Sequence, residues 1–292
     1  MNHSDKFEQF RNQVEKAILQ YLPAASIRPA QLHEAMLYSM QAGGKRLRPV
    51  LVLAACEAFT QKADPLPAAV AVECLHGYSL VHDDLPCMDD SDLRRGKPSC
   101  HKQFDEVTAV LAGDALLTHA FALLGSEYTK VPEISNALVC ILGKAAGSRH
   151  LIGGQMEDIL NEGKSPSQET LDFIHQNKTA ALLIASLEMG AALGGADAQQ
   201  IQQIRLFGEK LGLTFQIVDD LLDHLGDEAA LGKPVGADAQ NEKTTILSYC
   251  TPDQAREQVE ALTNEARNLC QKLFGENSFL EWLVTKLANR AT

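Results

Sequence analysis

The stretch LVHDDLPCMDDSDLRRGKPSCHKQF, residues 80–104, decides the fold because it ends an apolar helical segment with a dense run of charge. Its key charged side chains are Asp83, Asp84, Asp89, Arg94 and Arg95. Carboxylates at this density need a cation between them, and clustered guanidinium groups bind phosphates or carboxylates. Both needs are met if the carboxylates hold Mg²⁺, the metal holds a diphosphate, and the arginines contact phosphate oxygens.

A second acidic cluster lies on a long apolar-periodic stretch, residues 198–225. Its polar side chains are three or four residues apart and form a stripe beside an apolar seam. The stripe is Gln216, Asp219, Asp220 and Asp223, and the seam is Leu211, Phe215, Val218, Leu222 and Leu225. Alone, such a stripe is more often a solvated acidic face. A lysine-bearing loop at 226–245, which contains Lys233, follows at once and favours a second metal and anion site.

The composition is that of a globular protein, with 45% hydrophobic and 22% charged residues. The net charge is 26 − 38 = −12, which disfavours nucleic acid as the partner because phosphate backbones bind basic surfaces. It permits a phosphorylated small molecule, since a bound Mg²⁺ reverses the local charge.

The cysteines indicate the cellular compartment. There are 7 of them, an odd number, with no C-x-x-C spacing, and several lie in apolar helical stretches. Free thiols in a reducing compartment are therefore predicted, rather than disulfides or a zinc site. The first residues do not have the pattern of a signal peptide, and no apolar run approaches the ~18 residues of a membrane span. We expect a cytoplasmic protein without a membrane span.

Hydrophobic periodicity predicts helices almost throughout and no strand. The predicted helices cover residues about 5–22, 30–42, 50–59, a segment after Pro67 that ends near Leu85, 105–125, 132–147, 168–194 with a break near Lys178 and Thr179, 198–225, and two more at the end of the chain. No linker or low-complexity segment divides them. The prediction is one all-α domain, residues 1–292.

The helix at 105–125 has a predicted apolar face that includes a carboxylate. This face consists of Val107, Val110, Leu111, Leu117, Phe121 and Leu124, with Asp114 among them. We therefore expect Asp114 to be buried against a basic partner or to lie beside the acidic cleft.

Three other interpretations of the acidic stretch can be weighed. His82 and Asp83 could form the metal dyad of a phosphohydrolase, but no second His-Asp pair is present. A calcium loop starting at Asp89 would need a glycine at its turn, and Leu93 or Arg94 would occupy a ligand position. A non-catalytic helical scaffold would leave two acidic clusters unexplained.

The sequence resembles the trans-polyprenyl diphosphate synthases, and most closely the bacterial farnesyl diphosphate synthases. The motifs that carry the resemblance are GGKRLRP at 43–49, DDLPCMDDSDLRRG at 83–96, GGQMED at 153–158, the Lys178-Thr179 pair and FQIVDDLLD at 215–223. The first acidic motif has the form DDxxxxD, with two extra residues, which the plant-type geranylgeranyl diphosphate synthases share. Terpene cyclases have a different second motif, and the intact Asp219-Asp220-x-x-Asp223 favours chain elongation.

The resemblance implies an isoprenoid synthase fold, a single-domain helical bundle around a deep central cavity, and a homodimer. The implied reaction joins isopentenyl diphosphate to dimethylallyl diphosphate and then to geranyl diphosphate, with two or three Mg²⁺ ions. The implied roles are metal binding by Asp83, Asp84, Asp89, Asp219, Asp220 and Asp223, allylic diphosphate binding by Arg94, Lys178, Thr179, Gln216 and Lys233, and isopentenyl diphosphate binding by Lys45, Arg48, His76 and Arg95. Lys178, Thr179 and Gln216 are also the expected catalytic residues, and the departing diphosphate is expected to take the final proton.

Product length is expected to depend on the residues below the first acidic motif. In the family, an aromatic residue five positions before the first aspartate, here Tyr78, is associated with stopping at fifteen carbons. An ideal helix puts Ser79 closer than Tyr78 to the face of Asp83, so geometry alone does not select Tyr78. The predicted product is farnesyl diphosphate, and geranylgeranyl diphosphate is the alternative.

Overall fold

The structure, a computed structural model, describes residues 2–225 and 244–291 and is almost entirely helical there. The helices are α1 (His3–Tyr21), α2 (Ala30–Met40), α3 (Leu47–Ala58), α4 (Leu66–Asp83), α5 (Cys100–Gln103), α6 (Glu106–Glu127), α7 (Pro132–Ala146), α8 (Leu151–Leu160), α9 (Gln168–Ile174), α10 (Ala181–Gly194), α11 (Ala198–Leu225), α12 (Pro252–Phe274) and α13 (Phe279–Ala288). The predicted all-α class is confirmed.

Among the described residues, a π-helical turn, two 3₁₀ turns and a short hairpin accompany the α-helices. A π-helical turn, His175–Ala180, joins α9 to α10, and 3₁₀ turns span Ile246–Ser248 and Asn289–Ala291. A two-stranded hairpin, β1 (Leu93–Arg94) with β2 (Lys97–Pro98), was not predicted from the sequence. The predicted break near Lys178 is confirmed and is the π-helical turn. The predicted lysine loop lies almost entirely outside the described residues, and so does Lys233.

Helix starts follow the side chains that can satisfy free backbone N–H groups. Asp105 begins α6 by accepting a hydrogen bond from the Thr108 amide at 2.7 Å. Thr251 and Gln254 form a reciprocal capping box at the start of α12. These local signals explain why the predicted helices agree with the structure to within a few residues, whereas α5 and α8 were not predicted.

The predicted apolar face of α6 is wrong in the first turns of the helix, although Leu124 near its end is buried as predicted. Val107 is 69% exposed, Leu111 is 51% exposed, and Asp114 is also exposed rather than buried beside the cleft. The face packed in the protein core is Ala109, Ala112, Gly113, Leu116, Ala120, Leu123 and Leu124. Small residues on this face let α4 approach closely, so the largest apolar side chains of the first turns are left outside.

Helix α6 contradicts the expectation that no apolar stretch approaches the length of a membrane span. Its 22 residues include a window of mean hydropathy 1.7, so by length and composition alone it could cross a membrane. One such helix is weak evidence for a span, because helices buried in a protein core meet the same test.

Helices α4 and α11 carry the two acidic clusters, and α10 lies against α3, α4, α7 and α11. On α11 the predicted seam is confirmed where it is described, since Leu211, Val218 and Leu222 are at most 1% exposed. The polar stripe therefore lies at the edge of a buried apolar surface, with its position fixed by the packing of the seam.

Candidate active site

The first acidic motif forms where α4 ends. Asp83 is the last residue of α4, and the chain then turns back so that the Asp89 amide donates to the Asp83 carbonyl oxygen at 2.9 Å. Asp83 and Asp89 are both half-buried. The turn therefore brings the first and last aspartates of the motif side by side despite the residues between them.

Asp84 and Arg94, which were expected to bind metal and diphosphate separately, bind each other. The Arg94 guanidinium contacts both carboxylate oxygens of Asp84, with Nε at 3.0 and 3.1 Å. Asp84 is 1% exposed, and burial raises the pKa of its carboxyl group although Arg94 opposes this effect. In this arrangement the pair fixes the hairpin to the end of α4.

The second acidic motif lies on α11. Gln216 Nε2 donates to Asp220 Oδ1 at 2.9 Å, and the Ile246 amide donates to Asp220 Oδ2 at 2.9 Å. Asp220 and Asp223 are buried, whereas Asp219 is half-buried. Gln216 therefore orients one carboxylate of the motif through a contact one helical turn away.

A basic residue from the last described turn reaches the second motif. Arg290 Nη2 lies 3.2 Å from Asp219 Oδ1, and its guanidinium lies over the Phe215 ring, 5.5 Å from the centroid. Asp219 thus binds a cation in this structure. The sequence did not indicate that Arg290 would approach the second acidic motif, and the structure places it there.

The π-helical turn connects the two acidic motifs. His175 Nε2 is 3.8 Å from Asp220 Oδ2, at one end of the turn. Further along, the Lys178 ammonium lies in the fields of Asp83 and Asp89, which raise its pKa. Gly154 permits this arrangement, since a Cβ there would lie 2.3 Å from the Lys178 backbone nitrogen. Both acidic motifs therefore border the same turn.

Lys178 is held by Asp158, the last residue of the GGQMED motif, with Nζ 2.5 Å from Oδ2. Burial alone would lower the pKa of Lys178, but Asp158, Asp83 and Asp89 together raise it above its usual value. The Lys178 ammonium group therefore stays charged at neutral pH, and its positive charge lies near the first acidic motif.

The four residues expected to bind isopentenyl diphosphate lie around the start of α3. Arg48 Nη1 donates to His76 Nε2 at 3.3 Å, and Arg95 Nη1 donates to the Gly43 carbonyl oxygen. Gly44 suits this position because its φ of 123° is a backbone conformation that residues with a side chain rarely adopt. The pKa of Lys45 is lowered by burial and by Arg290, while Asp219 opposes this shift. The cationic cluster of Lys45, Arg48, His76 and Arg95 therefore extends to the second acidic motif.

His76 is neutral in this cluster. Burial lowers its pKa well below the usual value, and the positive charges of Arg48, Arg95, Arg94 and Arg46 lower it further. A neutral imidazole can accept from Arg48 through one nitrogen and present the other to an anion.

The two residues expected to set product length point in different directions on α4. Tyr78 is 6% exposed, and its ring packs edge-on against His82 with centroids 5.7 Å apart. Burial, followed by Asp83, raises the pKa of Tyr78 to about 12. Ser79 is half-buried and donates to the His76 carbonyl oxygen at 2.9 Å.

The donor set suits a metal ion that is shared with a substrate. Within residues 2–225 and 244–291, no group of three His, Cys, Asp or Glu side chains forms a ready-made metal site. Mg²⁺ commonly binds one or two carboxylates and completes its shell with waters and phosphate oxygens. Carboxylates on two separate helices, one already in contact with the Arg290 cation, have the chemistry for such a shared ion.

Some residues of the site had no predicted role. Asp158 belongs to the GGQMED motif. The motif drew attention to this segment in the sequence but did not indicate that Asp158 pairs with Lys178. His175 had no signal in the sequence, because its approach to Asp220 depends on the packing of the π-helical turn against α11.

Comparisons with known proteins agree with this geometry. The family model described as polyprenyl synthetase matches residues 29–274. A farnesyl diphosphate synthase of Geobacillus stearothermophilus is 44% identical over 274 residues, 89% of this chain and 91% of the relative. A chloroplastic heterodimeric geranylgeranyl pyrophosphate synthase large subunit of Arabidopsis thaliana is 46% identical over 263 residues, 87% of this chain and 70% of the relative.

A solved structure has the same fold. The geranyltransferase of Helicobacter pylori, complexed with magnesium and isoprenyl diphosphate, superposes with a TM-score of 0.82 at 34% identity, covering 97% of this chain and 96% of that chain. The protein belongs to the polyprenyl synthetase family. Within that family it is a short-chain prenyltransferase, and its relatives named for fifteen- and twenty-carbon products match it at similar identity.

Proposed function

We propose that the protein makes (2E,6E)-farnesyl diphosphate by adding isopentenyl diphosphate to dimethylallyl diphosphate and then to geranyl diphosphate. Each addition has three parts: the allylic C–O bond breaks to give a carbocation and diphosphate, the alkene attacks, and the resulting cation loses a proton to the departing diphosphate. The barrier to the first part falls when groups already in place neutralise the charge that forms on the leaving diphosphate.

The allylic diphosphate binds between the two acidic motifs. Asp83, Asp84 and Asp89 on one side, and Asp219, Asp220 and Asp223 on the other, are the residues that would hold Mg²⁺ around it. When bound, the metal supplies positive charge to the leaving diphosphate. Lys178, Arg94 and Lys233 supply further cations to the same group. Because Asp84 and Arg94 bind each other in this structure, their roles require that pair to rearrange.

Isopentenyl diphosphate binds at the cationic cluster. Lys45, Arg48 and Arg95 provide the positive charge, and neutral His76 adds a hydrogen bond. No metal is needed there, because this diphosphate does not leave during the reaction. The cluster is adjacent to the second acidic motif, as the effect of Asp219 on the Lys45 pKa indicates, so the alkene is brought next to the allylic carbon.

The π-helical turn faces the carbocation. Its hydrogen-bond pattern differs from that of the adjoining α-helices, so carbonyl oxygens near Lys178 and Thr179 are available to the positive carbon. Gln216 holds Asp220 beside the turn at 2.9 Å. Partial negative charge from these oxygens stabilises the cation without forming a bond to it.

The observation that carries the proposal is the position of the π-helical turn. One end contacts the second acidic motif through His175, and Lys178 faces the first motif. A diphosphate that touches both motifs is therefore also next to the turn and to the cationic cluster. Solvated acidic faces on two unrelated helices would not share these neighbours.

Incubation with Mg²⁺, isopentenyl diphosphate and labelled geranyl diphosphate, followed by phosphatase and chromatography, tests the function. A C15 alcohol is expected. A C20 alcohol would show that the protein is a geranylgeranyl diphosphate synthase, and a cyclic hydrocarbon would show that it is a terpene cyclase. The absence of any product would indicate a catalytically silent helical subunit.

Product length is the finer part of the proposal, and Tyr78 supports it. Tyr78 lies five residues before Asp83, which is about 7.5 Å along the helix axis. Its ring is buried and held by His82, so it can serve as a rigid floor beneath the growing chain. The twenty-carbon product remains the alternative, with the same site and a deeper floor.

Replacing Tyr78 with alanine is expected to shift the product from C15 to C20 or longer, because removing the ring opens space below the first acidic motif. The measurement is the chain length of labelled products. Tyr78→Phe is the matched control and should keep C15, since the ring remains. Unchanged chain length in Tyr78→Ala would place the floor elsewhere, with Ser79 as the next residue to replace.

We also propose that the protein forms a homodimer through exposed apolar side chains on α6 and α8. Ile152, Met156 and Leu160 are 48%, 55% and 48% exposed and stand four residues apart on one face of α8. Val107, Val110 and Leu111 are exposed on α6. Ordered rows of this kind are typical of interaction surfaces, whereas single exposed apolar residues are common everywhere.

Leu111→Glu is expected to convert the dimer to a monomer, because a charge would be buried in the interface. Sedimentation velocity of the wild type and the variant measures the change. Leu19→Glu is the control, since Leu19 is 56% exposed on α1, a helix that carries neither row. A monomeric wild type, or a dimeric Leu111→Glu variant, would contradict this surface.

A further inference from the structure

Arg46 lies between two residues of the cationic cluster, Lys45 and Arg48, but its side chain points away from them into the protein. Its Nη1 is 2.7 Å from Glu73 Oε1, its Nε is 2.8 Å from Glu15 Oε1, and its Nη2 donates to the Met40 carbonyl oxygen. The side chain is 1% exposed. Arg46 is therefore fully occupied by protein partners and unable to reach a substrate.

The backbone at Arg46 explains this inward direction. Arg46 has a φ of 50°, in the left-handed region, at the residue that precedes α3. Residues other than glycine rarely adopt this conformation unless other contacts hold them there. The change of direction at Arg46 separates the inward side chain from Lys45 before it and Arg48 two residues later.

Glu73 connects Arg46 to the other side of the cationic cluster. Glu73 lies on α4 one turn before His76, and His76 accepts from Arg48 at 3.3 Å. The two contacts, Arg46 to Glu73 and Arg48 to His76, run in parallel between the start of α3 and the middle of α4. Together they fix the distance between the loop and the helix that present the anion-binding groups.

Glu73 is also the buried negative charge beneath the cluster. Burial lowers the pKa of Arg48 and of Arg95, and the nearby Glu73 opposes this shift in both. Burial would lower the pKa of Arg46 as well, but Glu73 and Glu15 raise it above its usual value. Arg46 therefore keeps its positive charge inside the protein, next to the Glu73 carboxyl group at 2.7 Å.

We propose that the buried Arg46–Glu73 pair is a positioning device for the isopentenyl diphosphate site, holding Lys45 and Arg48 on the loop in register with His76 on α4. This inference rests on the proposed function, which assigns the cationic cluster to that substrate. Arg46 acts through its neighbours and never touches the ligand.

The test is the binding of isopentenyl diphosphate to the full-length protein, measured by calorimetry with EDTA present, together with KM values for both substrates with Mg²⁺. Arg46→Met is expected to weaken isopentenyl diphosphate binding about 10-fold or more, because small displacements of positioning groups have large effects. The KM for geranyl diphosphate should change less than about 2-fold, since its site does not depend on this pair. Arg46→Lys, which keeps the charge but not the three contacts, should be intermediate.

A double variant separates positioning from folding. Arg46→Met leaves Glu73 as an unpaired buried charge and lowers the melting temperature; Arg46→Met/Glu73→Met removes both charges and should restore it. Affinity for isopentenyl diphosphate should stay weak in the double variant. Recovery of both would overturn the proposal, because the pair would then serve stability alone.

The matched control is the Arg205–Glu188 pair, which joins α11 to α10 at 2.6 Å with Glu188 buried. Arg205→Met/Glu188→Met removes the same charges and should leave isopentenyl diphosphate affinity unchanged; a weakening equal to that of the Arg46 variants would overturn the proposal. If the wild type binds isopentenyl diphosphate without metal but forms no product, the proposed function fails and the positioning role stands. If the wild type does not bind it, both fail.

Discussion

Asp219→Ala lowers kcat for C15 formation by at least about 10³-fold, and Asp83→Ala does the same, if the two acidic motifs bind the leaving diphosphate through metal. Removing a single group that stabilises transition-state charge commonly reduces kcat by about 10²–10³-fold. Removing a carboxylate that holds a metal ion reduces kcat further, because the positive charge of the ion is lost as well.

A readout separate from activity accompanies this prediction. Titration of Mg²⁺ into the protein with inorganic pyrophosphate present should show binding for the wild type and a large loss of affinity in both variants. Asp253→Ala is the control, since the Asp253 side chain is 89% exposed at the start of α12 and should change neither measurement. Near wild-type turnover in Asp83→Ala or Asp219→Ala would contradict the proposal that the corresponding motif binds the leaving diphosphate through metal.

Lys178→Met is expected to reduce kcat/KM for geranyl diphosphate by about 10²-fold or more. Among the variants considered, only the aspartate variants should have a larger effect. Lys178 is charged at neutral pH because Asp158, Asp83 and Asp89 outweigh its burial. Without the ammonium group, the diphosphate loses a cation and the first acidic motif keeps an excess of negative charge. The KM for isopentenyl diphosphate should change little, because Lys178 is not part of the cationic cluster.

Two controls isolate the charge of Lys178 from the structure around it. The double variant Lys178→Met/Asp158→Asn also removes the carboxylate that Lys178→Met leaves without its partner. Any loss of kcat/KM caused by that carboxylate should then be reversed, whereas the loss caused by the missing cation should persist. Lys210→Met removes a lysine whose 2.7 Å pair with Glu265 lies between α11 and α12, and it should keep full activity. Full activity in the double variant would assign the effect to Asp158 alone.

Most of the helices, though not α8, were predictable because each depends on local information. Periodic apolar residues, prolines and capping side chains act over a few positions, so they located α1, α2 and α11 from the sequence alone. The orientation of α6 was not predictable in this way. Much of its buried face is alanine and glycine, and a pattern based on large apolar side chains selected a face rotated away from it that shares only Leu124.

The site was predictable in composition but not in its internal pairing. Spacing alone put Gln216, Asp219, Asp220 and Asp223 on one face of a helix, and the structure confirms that placement. The partners of these groups come from distant parts of the chain, as with Arg290 and Asp219. Likewise, nothing in KRLR distinguishes the buried Arg46 from Arg48, because the difference arises from one left-handed backbone conformation.

The π-helical turn at His175–Ala180 constrains how this segment of the chain can vary. Such a turn is equivalent to one additional residue in an α-helix, and α-helical residues are about 100° apart around the axis. Deleting one residue there would give a continuous, better hydrogen-bonded helix while rotating everything before it by about that angle. The deletion would make the segment more regular and would turn His175 away from Asp220. Length variation between relatives is therefore expected to avoid these six positions and to accumulate in the loops on either side.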